Sequence, residues 1–448
     1  MITNIVVVGM GYVGIPIAAL FADVEKVNVI GLQRRSTRSG WKIDVLNKGE
    51  SPFGGVEPGL DELIERVVKK GTFKVTEDNE VLRDADIILI DVQTPTDSQN
   101  MPQYSSLREV SKNIGHRIKK GTLVIVESTV APGTTQHVVQ RIIEQESQLT
   151  GGVDFDLAFS YERVMPGRLI DFIVNMPRVV GGITARSTER AVEIYSKIVK
   201  EKIFITNTLT AELAKTIENA YRDVNIAFAN EMALVSESLG VDIFEIIELV
   251  NARKDRHMHI PGAGVGGHCL PKDPWLLRFG LYEYGTWKIE PEIISLSRRI
   301  NNHMPVHMAD LVENALHAKN VSIQDATVAI LGIAYLENSD DTRNTPAAVL
   351  SAALQSRGAN VRLHDPYVKE WEFSPNKIET DIMKVARNSD CLALVTKHDQ
   401  YYKIDFDALR SVMKTPIIVD GRNVFETKSV LDKGFEYRSI GKKGVQKI

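Results

Sequence analysis

The chain has 448 residues, 43% hydrophobic and 25% charged, with a formal net charge of −4, the balance of a soluble globular protein of two to three domains. It carries no basic field, which excludes nucleic acid and an anionic membrane as expected partners, and no apolar run near the roughly 20 residues of a spanning helix. Two cysteines are too few for a disulfide framework and suit a reducing cytoplasm, and the N-terminus enters a strand-like run with no cationic leader.

Residues 1–204 read as a Rossmann domain of α/β class. Ile5-Val6-Val7-Val8 is a β-branched run that stops at Gly9. Gly9, Gly11 and Gly14 then form a GxGxxG turn, with Tyr12 and Val13 inside it, before a helix-like run from Ile15 to Phe21. Between a strand and a helix this spacing is a dinucleotide fingerprint: the glycines allow a tight turn, and a pyrophosphate sits at the helix N-terminus. A Gly-rich turn without ligand is the other reading. The second strand, Val27 to Leu32, should end in an acid for the adenosine ribose. Gln33 stands there instead, followed by Arg34, Arg35, Ser36, Thr37 and Arg38. Gln33 can bond a ribose hydroxyl, while the arginines can pair with a 2′-phosphate or face solvent, so NAD and NADP both stay open.

The alternation continues with strands at Asp86–Ile90 and Leu123–Val126. Ligands of open α/β sheets lie beyond the C-terminal strand ends, which puts Thr94, Ser128 and Thr129 there by position. Each can instead be a helix N-cap. A strand at Leu157–Ser160 leads into Tyr161-Glu162-Arg163-Val164-Met165-Pro166-Gly167-Arg168. An acid and two arginines there suit a polar or anionic ligand, or plain surface ion pairing.

Residues 205–319 read as a helical domain. Thr210 to Leu239 forms one long helix, with Leu213, Ile217, Ala220, Val224, Ala227 and Phe228 at helical spacing. Lys215 and Asn219 share a face of it, where a lysine can stabilise a developing alkoxide or simply be solvated. Further helix is expected at Asp242–Arg253 and Pro291–Lys319. Such an all-helical insert suits a homodimer core. Within it, Pro261 to Pro274 sets four glycines before Cys269, with Lys272 and Asp273 after it. Lys272 and His268 can favour a nucleophilic thiolate. A free core cysteine is the alternative.

The α/β pattern restarts over residues 320–448, with strands at Thr327–Ala334, Asn360–His364, Asp390–Val395 and Pro416–Asp420. This second nucleotide-binding-like lobe suggests a second nucleotide, with Arg343 and Arg422 at strand ends as phosphate partners.

Together these residues resemble the UDP-glucose/GDP-mannose 6-dehydrogenase family along essentially the whole chain. The landmarks are Gly9–Gly14, Glu127–Gly133, Glu162–Gly167, Ala211–Arg222, Gly266–Asp273, Asp341–Arg343 and Asp420–Asn423. The resemblance implies a Rossmann NAD domain, a helical dimerisation domain and a Rossmann-like UDP-sugar domain. It implies oxidation of C6 of a nucleotide sugar to the acid with two NAD⁺ in succession. Cys269 matches the family's nucleophile, Lys215 and Asn219 its oxyanion pair, Asp273 and Thr129 its water-handling groups, and Glu162 a substrate-site acid. Gly9, Gly11, Tyr12, Val13, Gly14, Gln33, Thr94, Ser128, Thr129, Lys272 and Arg343 fall to the cofactor. Glu162, Arg163, Val164, Lys215, Asn219, Arg222, Gly266 and Arg422 fall to the substrate, and no metal ligand is assigned.

Three positions depart from the family pattern. Gln33 replaces a frequent acid, which keeps NADP as the second choice. Leu336 replaces a frequent lysine after the aromatic Tyr335, and Tyr161 replaces the usual proline before Glu162-Arg163. The Glu-Arg-Val-x-Pro-Gly form is similar to the members acting on UDP-N-acetylhexosamines. UDP-N-acetylmannosamine is the first expectation, then its gluco or galacto epimers, then UDP-glucose. Two rivals are a one-step β-hydroxyacid dehydrogenase and a catalytically silent nucleotide-sugar-binding protein.

Overall fold

The structure is a computed structural model that describes residues 2–37, 39–371 and 377–443. Arg38, one of the arginines weighed for a 2′-phosphate, lies outside the described residues. The chain forms two compact units, Met1–Glu218 with Lys272–Glu290, and Asn219–Pro271 with Pro291–Ile448. The residues read as a helical middle, 205–319, divide between them.

Among the described residues the first unit carries an eight-stranded sheet: β1 (Thr3–Val8), β2 (Val27–Leu32), β3 (Phe73–Thr76), β4 (Ile87–Ile90), β5 (Leu123–Val126), β6 (Asp156–Phe159), β7 (Arg178–Gly182) and β8 (Ile203–Asn207). Their spatial order is β3-β2-β1-β4-β5-β6-β7-β8. All neighbours pair in parallel except β6 with β7, where Ala158 faces Gly182 in antiparallel register. Ile87-Ile88-Leu89-Ile90 and Leu123-Val124-Ile125-Val126 are buried at every position, as expected of parallel strands covered on both faces. The chain order reverses across β1, which pairs with both β2 and β4. Ligands of such sheets usually lie beyond the C-terminal strand ends at this reversal, here those of β1 and β4. The helix Gly14–Asp23 begins there, buried along most of its length.

The second unit has a six-stranded parallel sheet among the described residues: β9 (Thr327–Leu331), β10 (Asn360–His364), β11 (Ile378–Glu379), β12 (Cys391–Leu394), β13 (Ile417–Asp420) and β14 (Glu436–Ser439). Its order is β11-β10-β9-β12-β13-β14, again reversing at the first strand of the lobe. The helix Glu292–Ala318 packs on it through Met304, Met308, Ala309 and Val312, all wholly buried. A polar network locks this helix to the helix Thr208–Leu239. Arg298 donates to Asp223 at 2.6 Å, Asn301 donates to Asp223 at 2.8 Å, and Asn230 donates to Asn301 at 2.8 Å. Removing either Arg298 or Asp223 would strand the other's buried charge, at a cost of about 3–5 kcal/mol.

Several boundaries differ from the sequence reading. The long helix starts at Thr208 rather than Thr210, because Thr208 and Leu209 continue directly from β8. The other two helices are shorter, Ile243–Asn251 and Glu292–Ala318. Asp242 caps the first by accepting from Phe244 N–H, which excludes it from the helix proper. A helix at Asp273–Tyr284, with Pro274 in its first turn, adds to those the sequence pattern marks. No helix of the described residues is long and apolar enough to cross a membrane.

Candidate active site

The glycine-rich turn after β1 has the shape of a phosphate cradle. Gly9 has φ +109°, and a Cβ on it would sit 2.3 Å from the Asp91 carbonyl oxygen. A Cβ on Gly14 would sit 1.9 Å from the Gly9 carbonyl oxygen. Gly11, by contrast, faces open space. Two glycines are thus required by packing, and the third leaves room for a ligand against the backbone. The helix beginning at Gly14 has no side-chain cap and no acid in its first turn. Its first N–H groups and positive dipole end face the same opening. These residues fit a dinucleotide pyrophosphate.

Gln33 and Lys42 hold this turn in place. Gln33 Oε1 accepts from Met10 N–H at 3.0 Å, and Lys42 Nζ donates to the Met10 carbonyl at 3.1 Å. Gln33 Nε2 donates to Ser39 Oγ at 3.0 Å. The residue expected at the ribose position thus braces the fingerprint loop. Arg35 is paired with Glu77 at 3.1 Å and Asp44 at 3.6 Å, and Arg34 with Glu109 at 3.7 Å.

At the ends of β4 and β5 the hydroxyls of Thr94 and Ser128 bond backbone carbonyls of neighbouring segments. Thr94 Oγ1 donates to the Thr129 carbonyl at 2.6 Å. Ser128 Oγ donates to the carbonyls of Ile90 and Val92 at 3.1 and 2.7 Å. Beneath them lies a buried charge cluster that the sequence did not reveal. Arg178 pairs with Glu127, stacks on Tyr195 at 3.8 Å and donates to Ser160 at 2.8 Å. Tyr195 donates to Glu127 at 2.7 Å. Asp91 Oδ2 and Glu127 Oε2 are buried and lack a donor among the described residues. Burial, then the Glu127 carboxylate, push the Asp91 carboxyl well above the usual range.

The turn after β6 and the helix Thr208–Leu239 bring the next group together. Lys215 is buried, and its Nζ donates to the Glu162 carbonyl at 2.9 Å. The Tyr161 ring lies 5.2 Å from that ammonium, a cation–π distance. The Glu162 carboxylate accepts from Val164 N–H, and the Val164 side chain packs on the first core. Arg163 is taken up by the protein: its Nε donates to both oxygens of Glu218 at 3.0 Å, and its Nη2 to Tyr161 OH at 3.0 Å. Asn219 follows one turn after Lys215 on the same helix, and Arg222 is exposed beyond it. One turn before Lys215, Glu212 is buried and accepts from Gly133 N–H at 2.6 Å and Thr135 N–H at 2.7 Å.

Lys272 and Asp273 are both buried and form a 2.6 Å ion pair at the start of the helix Asp273–Tyr284. The lysine charge expected to act on the thiol is thus balanced locally. In the second unit Cys269 is exposed on its turn, whereas Cys391 is buried in β12. Burial, followed by the Asp390 charge, pushes the Cys391 thiol far up, so it is inert. The backbone before Cys269 is tied to the ends of β9 and β13. Ala263 N–H donates to the Gly421 carbonyl at 3.0 Å, and Gly267 N–H to the Arg343 carbonyl at 2.8 Å. Gly266 has no room for a side chain, since a Cβ would meet Tyr335 at 2.6 Å. Arg422 donates to the Val395 carbonyl at 2.8 Å and the Gly264 carbonyl at 3.4 Å. Arg343 is held by Asp341 through Nε at 2.9 and 3.0 Å. Leu336 is half-buried beside Tyr335 in sequence.

Comparison with known proteins agrees with this layout. Residues 3–199 match the NAD binding domain of the UDP-glucose/GDP-mannose dehydrogenase family, residues 209–303 its central domain, and residues 329–427 its UDP binding domain. The chain is 38% identical to a UDP-N-acetyl-D-mannosamine dehydrogenase of Pyrococcus horikoshii, over 98% of this chain and 99% of that protein. A solved structure of UDP-D-ManNAc dehydrogenase from P. horikoshii superposes with TM-score 0.91 at 37% identity, covering 99% of this chain and 100% of that one. A crystal structure of an NDP-N-acetyl-D-galactosaminuronic acid dehydrogenase from Methanosarcina mazei gives TM-score 0.87 at 40% identity, covering 99% and 96%. With its cradle, its two nucleotide-binding lobes and these matches over nearly its full length, the chain belongs to the UDP-glucose/GDP-mannose dehydrogenase family of NAD-dependent nucleotide-sugar dehydrogenases.

Proposed function

We propose that this chain oxidises C6 of a UDP-N-acetylhexosamine from alcohol to acid, with UDP-N-acetyl-D-mannosamine as substrate. The naming of the P. horikoshii relative and the Glu162-Arg163-Val164-x-Pro166-Gly167 sequence support that choice. Bound NAD⁺ supplies the hydride acceptor, and two are reduced per sugar. The first oxidation gives an aldehyde. The Cys269 thiolate adds to its carbonyl carbon, and the resulting thiohemiacetal loses a second hydride to become a thioester. Water then cleaves the C–S bond, releasing the acid and the thiolate. Lys215 and Asn219 stabilise the oxyanions, and Asp273 or Glu162, through Thr129, handles the proton of the attacking water. The observation that carries the reading is the contrast between an exposed Cys269 on a glycine-fixed turn and a buried Cys391.

A homodimer in the cytoplasm is part of this proposal. Leu213, Ile217, Tyr221, Phe228 and Val235 are exposed and succeed one another by four or seven residues along the helix Thr208–Leu239, which makes a single apolar stripe. A stripe of that length on a water-facing helix suits burial against a second copy.

The test is a panel of UDP-sugars assayed for cofactor stoichiometry. Two NADH per sugar on UDP-N-acetyl-D-mannosamine is expected. One NADH would favour the one-step hydroxyacid type, and none the silent binder. Cys269→Ala should form no acyl-enzyme by mass spectrometry of quenched reactions, and Cys269→Ser should accumulate a slow ester. Uronic acid made by Cys269→Ala at a rate near wild type would overturn covalent catalysis.

A further inference from the structure

One residue outside the proposed chemistry is built into the support of the thiol. The Gly267 carbonyl accepts from Asn344 Nδ2 at 3.0 Å, while Gly267 N–H donates to the Arg343 carbonyl. Both polar groups of a residue two positions before Cys269 are therefore held by two consecutive residues of another segment. Gly267 has φ +92°, and a Cβ on it would lie 2.8 Å from the Tyr335 ring. Glycine is needed there, and glycine is also the residue with the widest conformational freedom, so the turn keeps one shape only if it is held from outside. Asn344 itself sits at φ +49°, a left-handed conformation that asparagine tolerates better than most residues. The next residue, Thr345, caps the helix Pro346–Ser356 by accepting from Ala347 N–H at 3.2 Å, with Pro346 in the first turn. Asn344 is thus anchored on a helix start.

We infer that Asn344 is a positioning residue for Cys269. Its amide fixes the orientation of the Gly267 peptide, and through it the place at which the sulfur is presented. Asparagine meets two demands at once, a left-handed backbone and a side-chain donor aimed at a carbonyl. Glycine meets the first only. Aspartate keeps the backbone but sets an acceptor against an acceptor. The inference rests on Cys269 as the nucleophile for its catalytic consequence and on geometry alone for the hold on the turn.

The test uses the full-length enzyme with Asn344→Gly and Asn344→Asp. The first readout, made without substrates, is the pH profile of Cys269 alkylation by iodoacetamide, followed on the peptide by mass spectrometry. The second is the split between kcat and KM for the UDP-sugar. We expect both variants to shift the alkylation profile and to lower kcat on the order of tenfold to a hundredfold, with KM within about threefold. Asn344→Asp should be the worse of the two, which a loss of bulk would not produce. Alkylation profiles that superimpose on wild type in both variants overturn the inference, whatever kcat does. Failure of the nucleophile reading is visible separately: Cys269→Ala would then still make the acid, while a shifted alkylation profile in the Asn344 variants would still support the hold on the turn.

Discussion

Lys215 Nζ donates a 2.9 Å hydrogen bond to the backbone carbonyl of Glu162. This joins a helix-borne cation to the turn after β6 across 53 residues of sequence, and the Tyr161 ring lies 5.2 Å from the same ammonium. If Lys215 stabilises the oxyanion as proposed, its ammonium is already held beside the turn before a ligand arrives. Lys215→Ala should lower kcat on the order of a hundredfold to a thousandfold, with a smaller effect on KM. Lys215→Arg should not restore it, because a planar guanidinium cannot take the place of a point charge. Single-turnover measurement of NADH formation reads the hydride step directly.

Glu212 makes stability depend on pH. Two backbone N–H groups favour its ionised form, burial opposes it, and burial prevails, raising the carboxyl from 4.5 to about 7. The unfolded chain then gives up this proton at lower pH than the folded one. Stability from this group is complete below about pH 4.5, falls as pH rises towards 7, and is flat above. The loss is on the order of 3 kcal/mol. Glu212→Gln should remove that slope while costing about 1–2 kcal/mol through a mispaired backbone donor. Urea midpoints measured from pH 4.5 to 8 would show both.

Arg35 provides a test of cofactor choice. Its partners Glu77 and Asp44 neutralise a guanidinium that would otherwise invite a 2′-phosphate, so NAD⁺ should be preferred in kcat/KM. Releasing it with Glu77→Ala and Asp44→Ala together should raise kcat/KM for NADP⁺ about tenfold, the effect of one charge-assisted hydrogen bond. Gln33→Ala should instead weaken both cofactors, because it frees the Met10 N–H that Gln33 holds.

The apolar stripe on the helix Thr208–Leu239 gives the oligomer test. Phe228→Asp and Val235→Asp each place a charge where a second copy would bury it, a cost of several kcal/mol. Light scattering should find a dimer for wild type and a monomer for the double variant. Wild type running as a monomer at working concentration would remove the dimer.

What the sequence made legible was local. The strand, GxGxxG and helix order around Gly9–Gly14 is written in consecutive residues, and Lys215 with Asn219 in a four-residue spacing. What it hid was pairing across distance. Arg163 looked available for an anion, but its partner Glu218 lies 55 residues away. Arg178 sits in β7, and its partner Glu127 lies 51 residues away. The helix Asp273–Tyr284 escaped because Pro and Gly crowd the residues before it, and their turn signal masks the start. Asn344 had no signal at all, since an asparagine in a polar turn looks like any other.

The first unit is not continuous in sequence: Lys272–Glu290 joins it after 53 residues that belong to the second. In the finished fold Gly280 lies so near Pro132 that a Cβ would come within 2.7 Å of the Pro132 carbonyl oxygen. During synthesis this seam cannot close when Glu218 emerges. At roughly 5–20 residues per second, the Pro132 loop and the nascent sheet wait several seconds, exposed, for their covering helix. A ribosome stalled between the codons of Glu218 and Lys272 would therefore display the NAD lobe with this seam still open.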